Sequence, residues 1–419
     1  MRYKNFAWSI LASGFVINLI FAGTHFTFGV FLKPIADNFG WTRGATAFAF
    51  TLSWWISSPA SVLLGWFSDR IGARKVLVFG AIIFSLGIFL SGTIQNLWQF
   101  YIYLGVLTGL GRAASRAPLL SAVIPYLGEH KGLAMGILLS GTSIGTMILP
   151  PLVRYMISTV GWQVAYYMLA VIAVVIILPA VYFLKGPRPQ EGKAHQRVTE
   201  SHPDGQQGGI LPQPAEAWNA HNILKTPFFW IIVVTGFFCC ASHSLPVAHI
   251  VAFATDQGIE KLKAASLLGM IGFTSAMGRL CWGVISDRIG ARRTLLTCIF
   301  LQTIMLFWLA SAESLFSFYI LSSFFGFSSG GVLPLYPIIV RELFGLQRFG
   351  TIYGVQSVGT SVGMGTGAII GGFIFDAFGR YSPAFIFSGV IGTLAIVGAA
   401  FLAINIPTNS KDHKFRDSL

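Results

Sequence analysis

Apolar stretches of about 20 residues or more recur twelve times along this chain, and that recurrence limits its fold more than any other feature. They lie near residues 7–32, 44–67, 75–94, 97–124, 132–157 and 162–184, and again near 226–253, 263–285, 293–311, 315–340, 350–375 and 384–405. Each is long enough to cross the hydrocarbon core of a bilayer as a helix. A water-soluble domain carries roughly 25% charged residues; here the share is 10%, and the charges are bunched between the apolar stretches. The first run, from about Phe6 to Leu32, is too long for a signal-peptide core and is followed by no small-residue cleavage pattern. The expectation is an all-α membrane protein with twelve transmembrane helices, numbered below as spans 1 to 12.

The chain also repeats itself. Gly65-Trp66-Phe67-Ser68-Asp69-Arg70-Ile71-Gly72-Ala73-Arg74-Lys75 returns as Gly283-Val284-Ile285-Ser286-Asp287-Arg288-Ile289-Gly290-Ala291-Arg292-Arg293, an offset of 218 residues. The same offset aligns Gly141-Thr142-Ser143-Ile144-Gly145 with Gly359-Thr360-Ser361-Val362-Gly363, Phe100-Tyr101 with Phe318-Tyr319, Gly161 with Gly379 and His25 with His243. Each copy holds six spans, so the repeat is parallel: rotation about the membrane normal carries one half onto the other. The expected division is an N-terminal six-helix bundle over residues 1–184, a linker over 185–225, a C-terminal bundle over 226–406 and a tail over 407–419. The linker is rich in Pro, Gly and Gln, with a short interfacial helix expected around Glu216–Leu224.

A net charge of +13 invites a nucleic-acid reading, but its distribution answers otherwise. Counting from an inside N-terminus, only six Lys and Arg fall in outward segments (Lys33, Arg43, Arg154, Lys261, Lys263 and Arg380) and nineteen in inward ones. That bias sets topology, with both termini and the linker expected in the cytoplasm of a multi-pass protein of the cell membrane. The four cysteines, Cys239, Cys240, Cys281 and Cys298, suit neither a disulfide framework nor a zinc site. His243 and His249 lack metal-ligand spacing, and neither metal nor cofactor is expected. Gly141–Gly145 fits a hydrolase Gly-x-Ser-x-Gly pattern but sits in an apolar span without a carboxylate nearby, so no enzyme is expected. Gly359, Gly363, Gly367 and Gly371 form consecutive small-x-x-x-small steps that allow close helix packing.

The remaining three of the 28 basic residues lie inside spans: Arg112 and Arg116 in span 4, Arg279 in span 8. Charge at that depth costs roughly 2.5–3.5 kcal/mol on insertion scales and marks a functional candidate. Arg112 and Arg116, four apart, share one helical face. None of the fifteen acidic residues lies mid-span, so these guanidiniums must be met by water, backbone carbonyls or an anionic ligand. His25, His243 and His249 are the titratable groups left at depth, candidates to tune polarity or carry protons. Tyr336 and Phe327 in span 10 are the aromatic candidates for the cavity.

Two six-helix halves with Gly-x-x-x-Asp-Arg-x-Gly-x-Arg-Lys/Arg after spans 2 and 8 resemble the major facilitator superfamily over nearly the whole chain. Asn38-Phe39-Gly40-Trp41-Thr42-Arg43, Lys131-Gly132-Leu133-Ala134-Met135-Gly136 and Gly278-Arg279-Leu280-Cys281-Trp282-Gly283 are similar to its monocarboxylate transporter and oxalate–formate exchanger branch. The resemblance implies that Arg279 engages a substrate carboxylate. It also implies that Asp69, Arg70, Asp287 and Arg288 latch the outward-open state by pairing with the opposite half. The chain departs from the branch at Ser275, where animal monocarboxylate carriers have an Asp, at Phe26, where they have a lysine, and at Val355–Ser357, where the oxalate carrier has one. The reading is an alternating-access carrier of a small carboxylate such as lactate or pyruvate, coupled to protons and functional as a monomer in the bilayer. A carboxylate or dicarboxylate exchanger and a non-transporting anion receptor are the alternatives.

Overall fold

The computed structural model describes residues 2–123, 131–184, 225–344 and 349–404, and among these the chain is helical with no strand. The linker expected over 185–225 (save Lys225), its interfacial helix and the tail over 407–419 lie outside the described residues. The N-terminal half consists of α1 (Arg2–Phe26), α2 (Phe28–Phe39), α3 (Arg43–Ile71), α4 (Ala73–Ser91), α5 (Leu97–Phe100), a π-helical stretch (Tyr101–Leu107), α6 (Thr108–Ala113), α7 (Ala117–Val123) and α8 (Lys131–Phe183). The C-terminal half consists of α9 (Pro227–Asp256), α10 (Lys261–Ile289), α11 (Ala291–Leu309), α12 (Leu315–Phe344), α13 (Phe349–Phe378) and α14 (Ser382–Ile404).

Ten of these helical runs are long and apolar enough to span a membrane. The difference from twelve has two local causes. Spans 5 and 6 run together as α8, bent at Gly161, where φ 86° and ψ 165° leave the helical region. Span 4 is broken into α5, the π-helical stretch, α6 and α7, so no piece is long enough to count alone. Its break lies at 114–116, just before Pro118, whose ring displaces the carbonyl four residues back and supplies no N–H. The backbone there tightens to three-residue steps, with the N–H of Ser115 on the carbonyl of Arg112 (3.0 Å) and that of Arg116 on Ala113 (3.3 Å).

The repeat is visible in the backbone. All six glycines with positive φ fall into pairs 218 residues apart: Gly40 and Gly258 (66° and 82°), Gly72 and Gly290 (92° and 88°), Gly161 and Gly379 (86° and 69°). Each pair turns the chain at an equivalent span boundary, in a conformation only glycine adopts without strain.

Close packing within each half uses small residues, as the glycine steps of span 11 predict. A Cβ on Gly363 would stand 2.3 Å from the carbonyl oxygen of Phe237, and one on Gly367 2.0 Å from that of Ala241, so α13 lies directly on α9. In the N-terminal half, Gly145 of α8 meets Gly23 of α1 in the same way, at the position 218 residues before Gly363.

The halves meet along two equivalent seams, α3 against α13 and α8 against α10, with α2 also against α9. Backbones touch where glycines allow it. A Cβ on Gly372 would lie 2.5 Å from Cα of Gly44, one on Gly272 2.6 Å from the carbonyl oxygen of Ser143, and one on Gly29 2.9 Å from that of Val247. These contacts sit toward the face opposite the start of α1 and the end of α14, called the distal face below. The face that carries the start of α1 and the end of α14 is the terminal face.

Candidate functional site

At the distal face a cluster of charges joins the halves. Asp256, the last residue of α9, takes Lys33 of α2 (Nζ to Oδ1, 2.5 Å) and the Arg43 guanidinium at the start of α3 (Nη2 to Oδ1, 3.0 Å, with Nη1 on Oδ2). Asp376 of α13 accepts the backbone N–H groups of Arg43 and Gly44, both at 2.8 Å. A carboxylate from one half thus caps a helix of the other, where the unsatisfied N–H groups and the helix dipole favour negative charge. Arg43 also lies over the Phe375 ring, 3.8 Å from its centroid, and 5.1 Å from that of Tyr381. Tyr381 donates to Nδ1 of His249 (3.1 Å), and Nε2 of His249 donates to the carbonyl of Ala368 (2.7 Å). Since a carbonyl only accepts, the proton is on Nε2 and both ring nitrogens are satisfied.

Further in, α3 meets α13 through Thr51, donating to the carbonyl of Gly365 (2.7 Å), and Trp55, donating to that of Val362 (3.3 Å). Deeper still lie the expected arginines. Arg116 crosses the seam, its Nη1 donating to Ser361 Oγ of α13 at 3.1 Å. Arg112 is 6% exposed and stays within its own half, with Nη2 on Ser57 Oγ at 2.7 Å. Both face the Trp54 ring, Arg112 at 4.1 Å and Arg116 at 5.5 Å from its centroid. Across the break between α6 and α7 the two guanidiniums still lie on one side, around one aromatic face.

On the second seam Arg279 sits ten residues before the end of α10, roughly 15 Å inside the terminal face at 1.5 Å per residue. Its Nη1 donates to the carbonyl of Leu139 in α8, 2.5 Å away in the opposite half. Its Nε is buried without a hydrogen-bond partner. Among the described residues none of the three arginines forms an ion pair, and the salt bridges present lie at the two faces.

The histidines separate. His25 stacks on Phe50 (4.6 Å) beside Trp54 (5.3 Å) and so belongs to the Arg112–Arg116 group; its Nε2 is buried and unpartnered. His243 stacks on Phe325 of α12 at 5.1 Å, with Nδ1 likewise unpartnered. His249 belongs to the distal network. Phe327 lies against Trp282 (5.6 Å), which donates to the Phe327 carbonyl at 3.0 Å, and Tyr336 is 1% exposed within the core of the C-terminal half.

At the terminal face Arg70 stacks on Trp66 of its own helix at 3.7 Å, and Arg70, Asp287 and Arg288 are exposed. The side chain of Asp69 lies outside the described residues. Sequence reading missed Trp54, Ser361 and the roles of Arg43, Asp376 and Tyr381. Arg43 closes the Asn38–Arg43 segment and was legible only as an outward charge.

A helical bundle repeated by rotation, closed at one face by cross-half ion pairs and holding unpaired arginines along its seams, is the framework of a membrane carrier. The chain belongs to the Major Facilitator Superfamily, whose family model matches residues 14–283 and 242–418. It is a multi-pass membrane transporter resembling the monocarboxylate transporter branch. It is 24% identical over 409 residues to monocarboxylate transporter 13 of Rattus norvegicus, covering 96% of this chain and 91% of that protein. It is also 24% identical to monocarboxylate transporter 12-B of Danio rerio (95% and 86% covered) and 26% identical to the MFS transporter asaE of Aspergillus flavus (82% and 75%). Among solved structures, a single-site mutant of the nucleoside transporter NupG superposes with a TM-score of 0.75 over 95% of this chain and 99% of that one. At 11% identity this speaks to the fold alone.

Proposed function

We propose that this chain carries small carboxylates across the cell membrane by alternating access, with protons as the coupled ion and a single chain as the working unit. The observation that carries the proposal is Arg279: a guanidinium at depth, without a carboxylate partner, whose contact in the opposite half is a neutral carbonyl. A substrate carboxylate meets the guanidinium with the full negative charge that the carbonyl lacks, and the free Nε edge offers the second donor of a bidentate fork. The similarity to monocarboxylate transporters supports the same solute class.

Arg116 supplies a second positive site on the other seam. Because it reaches across to Ser361, it changes partners when the halves move apart. A second guanidinium so placed favours a dicarboxylate exchanger as the alternative reading. His243 and His25, each with an unpartnered ring nitrogen, are the proton carriers in this scheme. His249, bonded at both nitrogens, holds α9 to α13 and to Tyr381.

With the distal face outside and both termini in the cytoplasm, the arrangement described is the outward-closed state. Residues 1–184 and 226–406 then move as two bodies. Asp69, Arg70, Asp287 and Arg288 form their cross-half latch only when the terminal face closes, so Asp69→Asn lowers the transport rate more than substrate affinity.

Counterflow of labelled carboxylate in reconstituted vesicles tests the reading, with Arg279→Lys and Arg279→Ala alongside. Loss of a bond to a charged group is worth about 1.5–3 kcal/mol, so half-saturation is expected to rise roughly 10- to 100-fold in Arg279→Ala. Arg279→Lys, which keeps the charge but not the fork, restores part of it. Undiminished counterflow in Arg279→Ala, or a preference for cations or neutral solutes, contradicts the proposal. Uptake indifferent to a pH gradient leaves exchange in place of symport.

A further inference from the structure

The distal face holds a second collection of cations that the transport scheme does not use. A cavity of about 530 Å³ opens where α2 and the part of α8 just before its bend at Gly161 meet the loop between α9 and α10, and its lining includes Lys33, Arg154, Ser158, Thr255, Glu260 and Lys261. Three of these are basic, drawn from both halves. The one carboxylate, Glu260, is already paired with Lys263 at 3.0 Å.

Arg154 is the unusual member. It lines the cavity yet is 8% exposed, its Nε is buried without a hydrogen-bond partner, and among the described residues it forms no ion pair. A buried guanidinium N–H left so is costly unless an acceptor meets it. The opposite wall adds a second, independent reason. The 29-residue α10 starts at Lys261 after Glu260, whose side chain makes no capping bond, so the first turn directs free N–H groups and the positive end of the helix dipole to the cavity's edge.

We infer that this cavity is a binding site for a carboxylate or phosphate group, held between Arg154 of the N-terminal half and Lys261 with the α10 N-terminus of the C-terminal half. Lys33 stands on the rim, bonded to Asp256, and ties the site to the ion pairs that close the distal face. An anion seated here bridges the halves in the distal-closed arrangement and stabilises it. The site is distinct from the arginines at mid-depth, so it stands whether or not Arg279 binds substrate. A soluble anion and the phosphate of an anionic lipid present the same chemistry, and the position at the membrane edge admits both.

The test is thermal unfolding of the purified full-length protein in neutral detergent, titrated with inorganic phosphate against chloride at matched ionic strength. A parallel arm uses nanodiscs of phosphatidylcholine with and without phosphatidylglycerol. A saturable rise in Tm is expected from at least one of these anions, lost in Arg154→Gln and weakened in Lys261→Gln, but kept in Arg279→Ala. A rise with phosphate identifies a soluble anion; a rise confined to phosphatidylglycerol identifies a headgroup. Lys261 is exposed, so Lys261→Gln keeps the test decisive even where Arg154→Gln fails to fold. No rise in any arm, or a rise of undiminished size in Lys261→Gln and Arg154→Gln, overturns the assignment.

Discussion

Arg112, Arg116 and Arg279 each bring a positive charge into the bilayer, but their surroundings differ. Arg112 is fixed inside its own half by Ser57 and the Trp54 face, Arg116 reaches across one seam, and Arg279 reaches across the other with an unused Nε. Substitution should separate them. Arg112→Ala removes the bond that Ser57 Oγ accepts and is expected to lower stability by about 1–3 kcal/mol, read as a drop in Tm, with carboxylate affinity of the folded protein unchanged. Arg116→Ala is expected to weaken a dicarboxylate more than a monocarboxylate in side-by-side titrations; equal losses would remove Arg116 from the second positive site. The histidines divide likewise. His243→Gln is expected to abolish stimulation of uptake by a pH gradient, whereas His249→Gln lowers Tm and leaves that stimulation intact.

Among the helices, the small-residue ladder of α13 gives the sharpest expectation. A Cβ at Gly367 would meet the backbone oxygen of Ala241 at 2.0 Å, and a backbone cannot rotate away as a side chain can. Gly367→Ala is expected to cost roughly 1–3 kcal/mol by overpacking, while Gly354→Ala, with nothing within 4 Å, is tolerated; thermal unfolding of the two variants makes the comparison. This ladder was readable in the sequence because its spacing follows helical geometry alone. So were the long spans and the 218-residue repeat, which the paired positive-φ glycines carry into the backbone. The break in span 4 was less visible: apolar composition runs through it, and only Pro118 marks the place. The depth of the arginines was legible from hydropathy, but their partners were not. Ser361, Leu139 and Trp54 lie on other helices, and which faces meet across a seam is decided by packing between helices that local sequence does not encode.

At the scale of the whole molecule, the distal closure rests on Asp256 and Asp376, each from the C-terminal half, holding Lys33 and the start of α3 in the other. The side chains of Lys33 and Asp256 are 29% and 25% exposed, so the pairs fall between surface and buried values. Asp256→Asn is therefore expected to favour distal opening by roughly 1–2 kcal/mol, a factor of about 5–30 in the equilibrium. Labelling of Thr51→Cys by an impermeant maleimide from the distal side reports that opening, since Thr51 is buried in the closed seam, and unchanged labelling would show that these pairs do not hold the face shut.

The carrier reading depends on a guanidinium at depth that takes its counter-charge from the solute, and a ligand screen by thermal unfolding addresses this most directly. Purified Arg154→Gln, in which the distal cavity no longer contributes, is titrated with mono-, di- and tricarboxylates, nucleosides and organic cations, beside the double variant Arg154→Gln/Arg279→Ala. A small carboxylate is expected to stabilise Arg154→Gln and to lose that effect in the double variant Arg154→Gln/Arg279→Ala. Stabilisation by a cationic or neutral solute alone, or by a carboxylate equally in the double variant, contradicts it.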